Sequence, residues 1–274
     1  MRGTASTERP GHASSGKRSQ RMRGILALLS ADDGVVSIAE FTDRLGVSAP
    51  TVRRDLADLE DLGLLLRTHG GARSNDQRAE IPVRFRDMQF REAKRRIAVK
   101  VAEMIPAGPY AIALSGGTTT GAVARELAGR PQLTIVTNSL TTATEIASRP
   151  NLQVIMTGGL VRSSSFEAVG VLAENTFGAI NVGTAVLGTD GISALGGATT
   201  HDEREARTNL AMVSHAQRVI VVTDGSKVGR VTLARMAELG QIHDLVTDSS
   251  ADPLELERLA AADIAVHVVE HDHP

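Results

Sequence analysis

From Tyr110 onward the chain alternates short β-rich runs with helical ones, and that alternation limits the fold more than any other feature. The β-rich runs are Tyr110–Leu114, Leu133–Thr137, Gln153–Met156, Thr184–Leu187, Arg218–Thr223, Asp244–Thr247 and Ile264–Val269. Helical stretches lie between them at Gly121–Leu127, Leu140–Ala147, Val169–Phe177, Glu203–His215 and Leu254–Ala261. Strands separated by helices are joined by crossovers, so a mainly parallel sheet covered by helices is expected. The fold class is α/β, with a smaller N-terminal unit of different texture.

That N-terminal unit punctuates itself. Residues 1–17, rich in Gly, Ser and Arg without apolar periodicity, read as a disordered arm. A helical pattern begins at Arg18, with Ile25, Leu26, Leu28 and Leu29 as its apolar stripe, and stops at Asp32-Asp33-Gly34. Val35-Val36 suits a short strand. Ser37-Ile38-Ala39-Glu40 is a capping box that opens a second helix through Leu45, and Gly46 ends it. Ser48 then caps a third helix, with Pro50 in its first turn, that runs to about Asp61. Gly63–Arg67 reads as a strand and His69–Ala72 as a hairpin tip.

Helix, glycine turn, helix and hairpin is the spacing of a winged helix-turn-helix, expected over residues 18–75. Val52, Leu56 and Leu59 face inward, leaving Thr51, Arg53, Arg54, Asp55 and Asp58 toward solvent or DNA. Arg grips a guanine edge bidentately, while hydroxyls and helix N-termini suit phosphates. Ser48, Thr51, Arg53 and Arg54 are the expected DNA contacts, with Arg67, His69 and Arg73 added by the wing. A small helical domain with a solvated charged face would show part of this pattern, since Asp55 and Asp58 neighbour the arginines.

Charge is spread unevenly along the chain. Residues 1–100 carry 19 Lys/Arg against 13 Asp/Glu, a balance of +6; residues 101–274 carry 11 against 19, a balance of −8. A basic first third on an acidic body suits a polyanion-binding module attached to something that does not bind polyanions. Residues 76–94 read as a charged linker and residues 95–274 as the α/β domain. The absence of Cys excludes disulfides, thiolate metal sites and a cysteine nucleophile. Aromatics are 2% of residues, so base stacking on aromatic platforms is not expected and the core must be aliphatic. No apolar run is long enough to span a bilayer, and a cytoplasmic protein is expected. The histidine-rich end (His267, Glu270, His271, His273) reads as a frayed terminus rather than a metal site.

Within the α/β domain, Ser115-Gly116-Gly117-Thr118-Thr119-Thr120 joins a strand to a helix. Glycines let amides converge, the helix start carries partial positive charge, and the hydroxyls add donors, all of which suits a phosphate. A glycine-rich turn kept only for tight packing is the other reading. Asn138-Ser139 and Gly158-Gly159 follow later strands and are expected at the same edge of a parallel sheet, where such folds bind ligands. Asp190 offers an acceptor for sugar hydroxyls and Lys227 a cation for a phosphate.

Several segments together carry a family resemblance. Leu45-Gly46-Val47-Ser48, Thr51-Val52-Arg53-Arg54-Asp55-Leu56, Gly63-Leu64-Leu65 and Arg67-Thr68-His69-Gly70-Gly71-Ala72 resemble the signature of DeoR-type repressors. The resemblance continues through Gly117-Thr118-Thr119-Thr120, Thr137-Asn138-Ser139-Leu140, Gly158-Gly159, Gly188-Thr189-Asp190-Gly191-Ile192, Glu205-Ala206 and Asp224-Gly225-Ser226-Lys227-Val228-Gly229. It implies a repressor of carbohydrate or related metabolic genes that binds double-stranded operator DNA, most simply as a homo-oligomer. It also implies a sensor domain similar to ribose-5-phosphate isomerase, with a phosphorylated sugar or related metabolite as effector and no cofactor, metal or membrane partner. The chain departs from the pattern at Ser115, where relatives commonly carry Asp, and at Asn209, where they commonly carry Lys. The alternative is a sugar-phosphate isomerase-like enzyme with a DNA-binding module. Glu205 resembles that isomerase's base, but Leu187 stands at what looks like a catalytic aspartate position. No enzyme activity is therefore expected, and Glu205 is left either to bind an effector hydroxyl or merely to sit on an exposed helix.

Overall fold

The computed structural model describes residues 12–31, 35–61, 64–74, 83 and 90–270, and the chain divides into two units, Met1–Ile81 and Pro82–Pro274. Residues 1–11 of the expected arm, the Asp32-Asp33-Gly34 stop, most of the expected linker, and His271 and His273 lie outside the described residues. Among the described residues, no helix is long and apolar enough to cross a membrane.

The first unit holds α1 (His12–Ala31), β1 (Val35–Ser37), α2 (Ile38–Leu45), α3 (Ala49–Asp61), β2 (Leu65–Thr68) and β3 (Gly71–Ser74). Helix α1 begins six residues before the Arg18 start read from apolar periodicity. Its first turns carry no apolar period, so the pattern had nothing to register there. The Ser37 side chain accepts the Glu40 amide at 3.1 Å and opens α2. Gly46 closes α2 in the left-handed region, φ 63°, with its amide donating to Thr42 O. Helix α1 packs on α2, α3 and β3. It buries Ile25, Leu26 and Leu29 in a core that also holds Phe41, Val52, Leu56, Leu59 and Leu65. The hairpin joins β1 in an antiparallel sheet of order β1-β3-β2, with Val36 opposite Ala72 and Arg67 opposite Ala72 on the other side.

The second unit opens with α4 (Arg91–Met104), β4 (Tyr110–Leu114), α5 (Thr118–Leu127), β5 (Leu133–Thr137), α6 (Leu140–Ile146) and β6 (Leu152–Met156). A hairpin of β7 (Leu160–Val161) and β8 (Ala168–Val169) precedes α7 (Val171–Gly178) and β9 (Val182–Gly188). Then come β10 (Gly191–Ser193), β11 (Gly197–Thr200), α8 (Glu203–Ser214), β12 (Ala216–Val222) and β13 (Ala234–Ala237). The described part ends with β14 (Asp244–Asp248), α9 (Pro253–Ala260) and β15 (Ala265–Val269).

Seven of these strands form one parallel sheet of order β15-β14-β12-β9-β4-β5-β6. Strand parity decides which core each residue joins. Ile112, Leu114, Val186, Ile220 and Val222 meet Ile97, Val101, Val123 and Leu127 on the side of α4 and α5. Ala113, Ala185, Leu187, Val219 and Val221 meet Phe177, Met212 and Val213 on the other. Each fully buried aliphatic side chain contributes about 1.5–3 kcal/mol, and both faces are filled this way without Trp.

The chain starts the sheet at β4, builds outward through β5 and β6, then returns to the other side of β4 with β9. Strand order thus reverses between β4 and β9. A crevice opens at the carboxyl ends of strands at such a reversal, and ligands of open α/β sheets bind there. The loop after β4 begins at Ser115, and the loop after β9 holds Thr189 and Asp190.

Candidate functional site

In the first unit, Arg53 and Arg54 are exposed on α3, and Arg67, His69 and Arg73 are exposed on the hairpin. Ser48 precedes α3, its hydroxyl 3.0 Å from that of Thr51, so two hydroxyls mark the helix start. Asp55 does not face solvent or DNA: it is 1% exposed and pairs with Arg21 of α1, whose Nη2 donates to Oδ1 at 3.1 Å. The cause is helical geometry, since position 55 falls at i+3 from Val52 and on the same stripe as Leu56 and Leu59. Asp58 in turn pairs with Arg18. Both aspartates are therefore committed to α1, and among the described residues no carboxylate pairs with Arg53 or Arg54.

In the second unit, Gly116, Gly117, Thr118, Thr119, Thr120, Asp190, Glu205 and Lys227 line one cleft, together with Val83, Ser165, Glu167 and Thr189. Gly117 caps α5 at φ 118°, in the region that favours glycine, and no side chain takes the first amides of that helix. Those amides and three consecutive threonines face one end of the cleft. Helix α8 brings Glu205 to it, in a first turn where the Asp202 side chain accepts the Glu205 amide at 3.0 Å. Lys227 Nζ donates to Thr189 O at 2.7 Å and lies 3.4 Å from Asp190 Oδ1.

Carboxylates dominate the other end. Thr200 Oγ1 lies 2.8 Å from Glu205 Oε1 and 3.0 Å from Asp190 Oδ2, linking the two acids. Arg162 pairs with Glu205 and sits 3.3 Å from Asp202. Burial pushes Glu205 well above the usual carboxylate range, and the nearby charges of Glu167 and Asp190 push it further. Burial raises Glu167 as well, against hydrogen bonds from Glu205 and the Gly116 amide. Glu205 and Glu167 are thus hydrogen-bonded neighbours, each raised by the same burial. The cleft has a donor end, made of amides and hydroxyls, and an acceptor end, made of acids.

Five expected site residues do other work. Ser115 is buried beneath the loop, where its hydroxyl accepts the Gly188 amide at 2.9 Å and ties β4 to β9 across the reversal point. Asn138 is fully buried, and its backbone carbonyl accepts the Ala168 amide at 2.7 Å. Ser139 caps α6, accepting from Thr142 at 3.2 Å. Gly158 and Gly159, at φ 71° and 121°, turn the chain into the β7–β8 hairpin, and a side chain at Gly159 would strike Val169 O. None of the five lines the cleft. In the other direction, sequence reasoning missed Arg162, Ser165, Glu167 and Thr200. The polar cluster Arg162-Ser163-Ser164-Ser165 before Glu167 was the available signal. His267, by contrast, is tied into the sheet, with Nε2 3.0 Å from Asp244 Oδ1.

Comparison with known proteins accounts for both units. Residues 21–78 match the model of a DeoR-like helix-turn-helix domain, and residues 89–249 match that of the DeoR C terminal sensor domain. The glycerol-3-phosphate regulon repressor of Escherichia coli is 34% identical over 233 residues, spanning 85% of this chain and 92% of that protein. The HTH-type transcriptional regulator GlpR of Haloferax volcanii is 36% identical over 256 residues, spanning 90% and 96%. A ribose 5-phosphate isomerase A from Methanocaldococcus jannaschii aligns with 51% of this chain and 55% of its own at 15% identity and a TM-score of 0.38, a likeness too loose to bear on chemistry. The relatives that match nearly end to end are named regulators, and the protein is a regulator rather than an enzyme. With both of its units matched in order, the chain belongs to the DeoR family of transcriptional regulators.

Proposed function

We propose that this regulator is a cytoplasmic repressor that binds operator DNA through α3 and the β2–β3 wing and releases or holds it according to a phosphorylated polyol or sugar in the cleft. On the DNA side, Arg53 and Arg54 read base edges, Ser48 and Thr51 meet phosphates at the helix start, and Arg67, His69 and Arg73 meet the flanking backbone. On the effector side, the amides and hydroxyls of Gly116–Thr120 take the phosphate and Lys227 adds charge. Asp190 and Glu205 accept from ligand hydroxyls. Ser115, Asn138, Ser139, Gly158 and Gly159 hold these parts in place from behind. The residue ranges 18–75 for the DNA-binding domain, 76–94 for the linker and 95–274 for the sensor remain the working division.

The observation that carries this reading is the convergence of a donor loop and an acid cluster in one cleft at the sheet's reversal point. Such a cleft matches a ligand with an anion at one end and hydroxyls at the other. The names of relatives support the ligand class, since one is a glycerol-3-phosphate regulon repressor. Thermal-shift screening of the full chain against sugar and polyol phosphates tests the reading, because a ligand that binds only the native state raises its stability by mass action. Glycerol 3-phosphate and glycerol make the first pair. A shift with phosphorylated compounds alone supports the proposal; no shift across the panel counts against it.

A further inference from the structure

Glu167 sits where the donor loop would first meet an anion. It stands just ahead of β8, is 2% exposed, and its Oε1 accepts the Gly116 amide at 2.5 Å. A side chain at Gly116 would overlap this same carboxyl, so the glycine that reads in sequence as room for a phosphate is filled here by Glu167. The carboxyl is held from two further sides, by the Glu205 side chain and by Ser165. Arg162, on the same hairpin, fastens that segment to α8 through Glu205 and Asp202. The hairpin is thus latched to the donor loop at one point and to α8 at another.

We propose that Glu167 is an internal competitor for the effector's anionic group, occupying the Gly116 amide and surrendering it when that group enters. One amide hydrogen serves one strong acceptor, and two anions at this spacing repel, so both cannot stay. The inference rests on the effector reading above and adds a regulator to it. The exchange also reaches beyond the cleft. Ser164, between Arg162 and Glu167, accepts the Val83 amide at 2.8 Å. Val83 lies two positions after Ile81, the last residue of the DNA-binding unit, and itself lines the cleft. Moving Glu167 moves the segment that holds Val83, and the connection to the DNA-binding unit registers the ligand.

Inorganic phosphate titrated calorimetrically into the full chain provides the test, with wild type, E167Q, E167D and T118D compared. Gln keeps the shape and loses the charge, and Asp is one methylene too short to reach the amide, so either variant serves if the other fails to fold. Phosphate is expected to bind E167Q and E167D about tenfold more tightly than wild type, and T118D not at all. Hydrogen exchange over the peptide containing Val83 is expected to quicken when phosphate saturates the wild type. Equal phosphate affinity in wild type and both Glu167 variants, with T118D still defective, overturns the competitor and leaves the donor loop standing. No phosphate binding to any folded form overturns the loop and the competitor together. Unchanged exchange at Val83 under saturating phosphate overturns the link to the DNA-binding unit.

Discussion

Arg53, Arg54 and Asp55 are consecutive on one helix, yet truncating them has opposite consequences. The two arginines are exposed, so R53A and R54A are expected to leave the melting curve in place and weaken operator binding. A lost base contact costs about 1–3 kcal/mol and relaxes one position of the site, whereas a lost phosphate contact weakens all sequences and lowers the salt slope. Gel-shift titrations at two salt concentrations separate these outcomes, and unchanged binding in both variants contradicts the assigned face. D55A strands Arg21, whose side chain is 20% exposed, beside a hole in the first unit's core. Allowing for that exposure, a loss of about 2–4 kcal/mol is expected in urea unfolding of the first unit. The spacing of Asp55 from Val52 and Leu59 already puts it on the buried stripe, but only the position of α1 reveals its partner.

Elements were legible where periodicity is long and illegible where it is short. The seven parallel strands and their helices are visible because alternation and the 3.6-residue period persist over whole elements. Hairpin β7–β8 has two residues per strand, and β10, β11 and β13 have three or four, too few for any period to register. Those short pieces bring Glu167 to the cleft, and Arg162 and Thr200 to the Glu205 carboxyl that lines it. Glu167 and Gly116 are 51 residues apart, so their contact is a product of topology rather than of any motif. The far end of the sheet offers a test of element-level electrostatics. Arg218 on β12 holds Asp244 on β14 through two 2.7 Å hydrogen bonds, and His267 on β15 approaches the same carboxylate. Burial alone would raise Asp244, but the guanidinium and imidazole outweigh it and hold the carboxyl below its usual range. A lowered folded pKa means stability that is present above the unfolded value and lost as pH falls through the folded one. R218A is therefore expected to cost about 1 kcal/mol at pH 7, modest because this guanidinium is 39% exposed. The gap to wild type should start to narrow near pH 4, the unfolded aspartate value, and close only as pH falls through the lower folded value. A gap that persists or widens in acid contradicts the assignment.

At the scale of the whole molecule, two units divide the labour between DNA and metabolite. One recognition helix covers few base pairs, so two heads are expected on half-sites about 34 Å apart or a multiple of it. The sensor unit is the expected place of association. Residues 1–81 expressed alone should sediment as a monomer and bind operator far more weakly than the full chain; equal affinity, or an intact protein that stays monomeric on DNA, contradicts this. The central claim is that the sensor cleft recognises a phosphorylated ligand through the Gly116–Thr120 loop. Titration calorimetry of the full chain with the tightest binder from a sugar- and polyol-phosphate panel, and with its dephosphorylated form, tests that claim most directly. At least about a hundredfold loss is expected without the phosphate, a difference near 2.7 kcal/mol, and a comparable loss for the phosphorylated form in T118D with operator binding intact. Equal affinity for the two forms would contradict it.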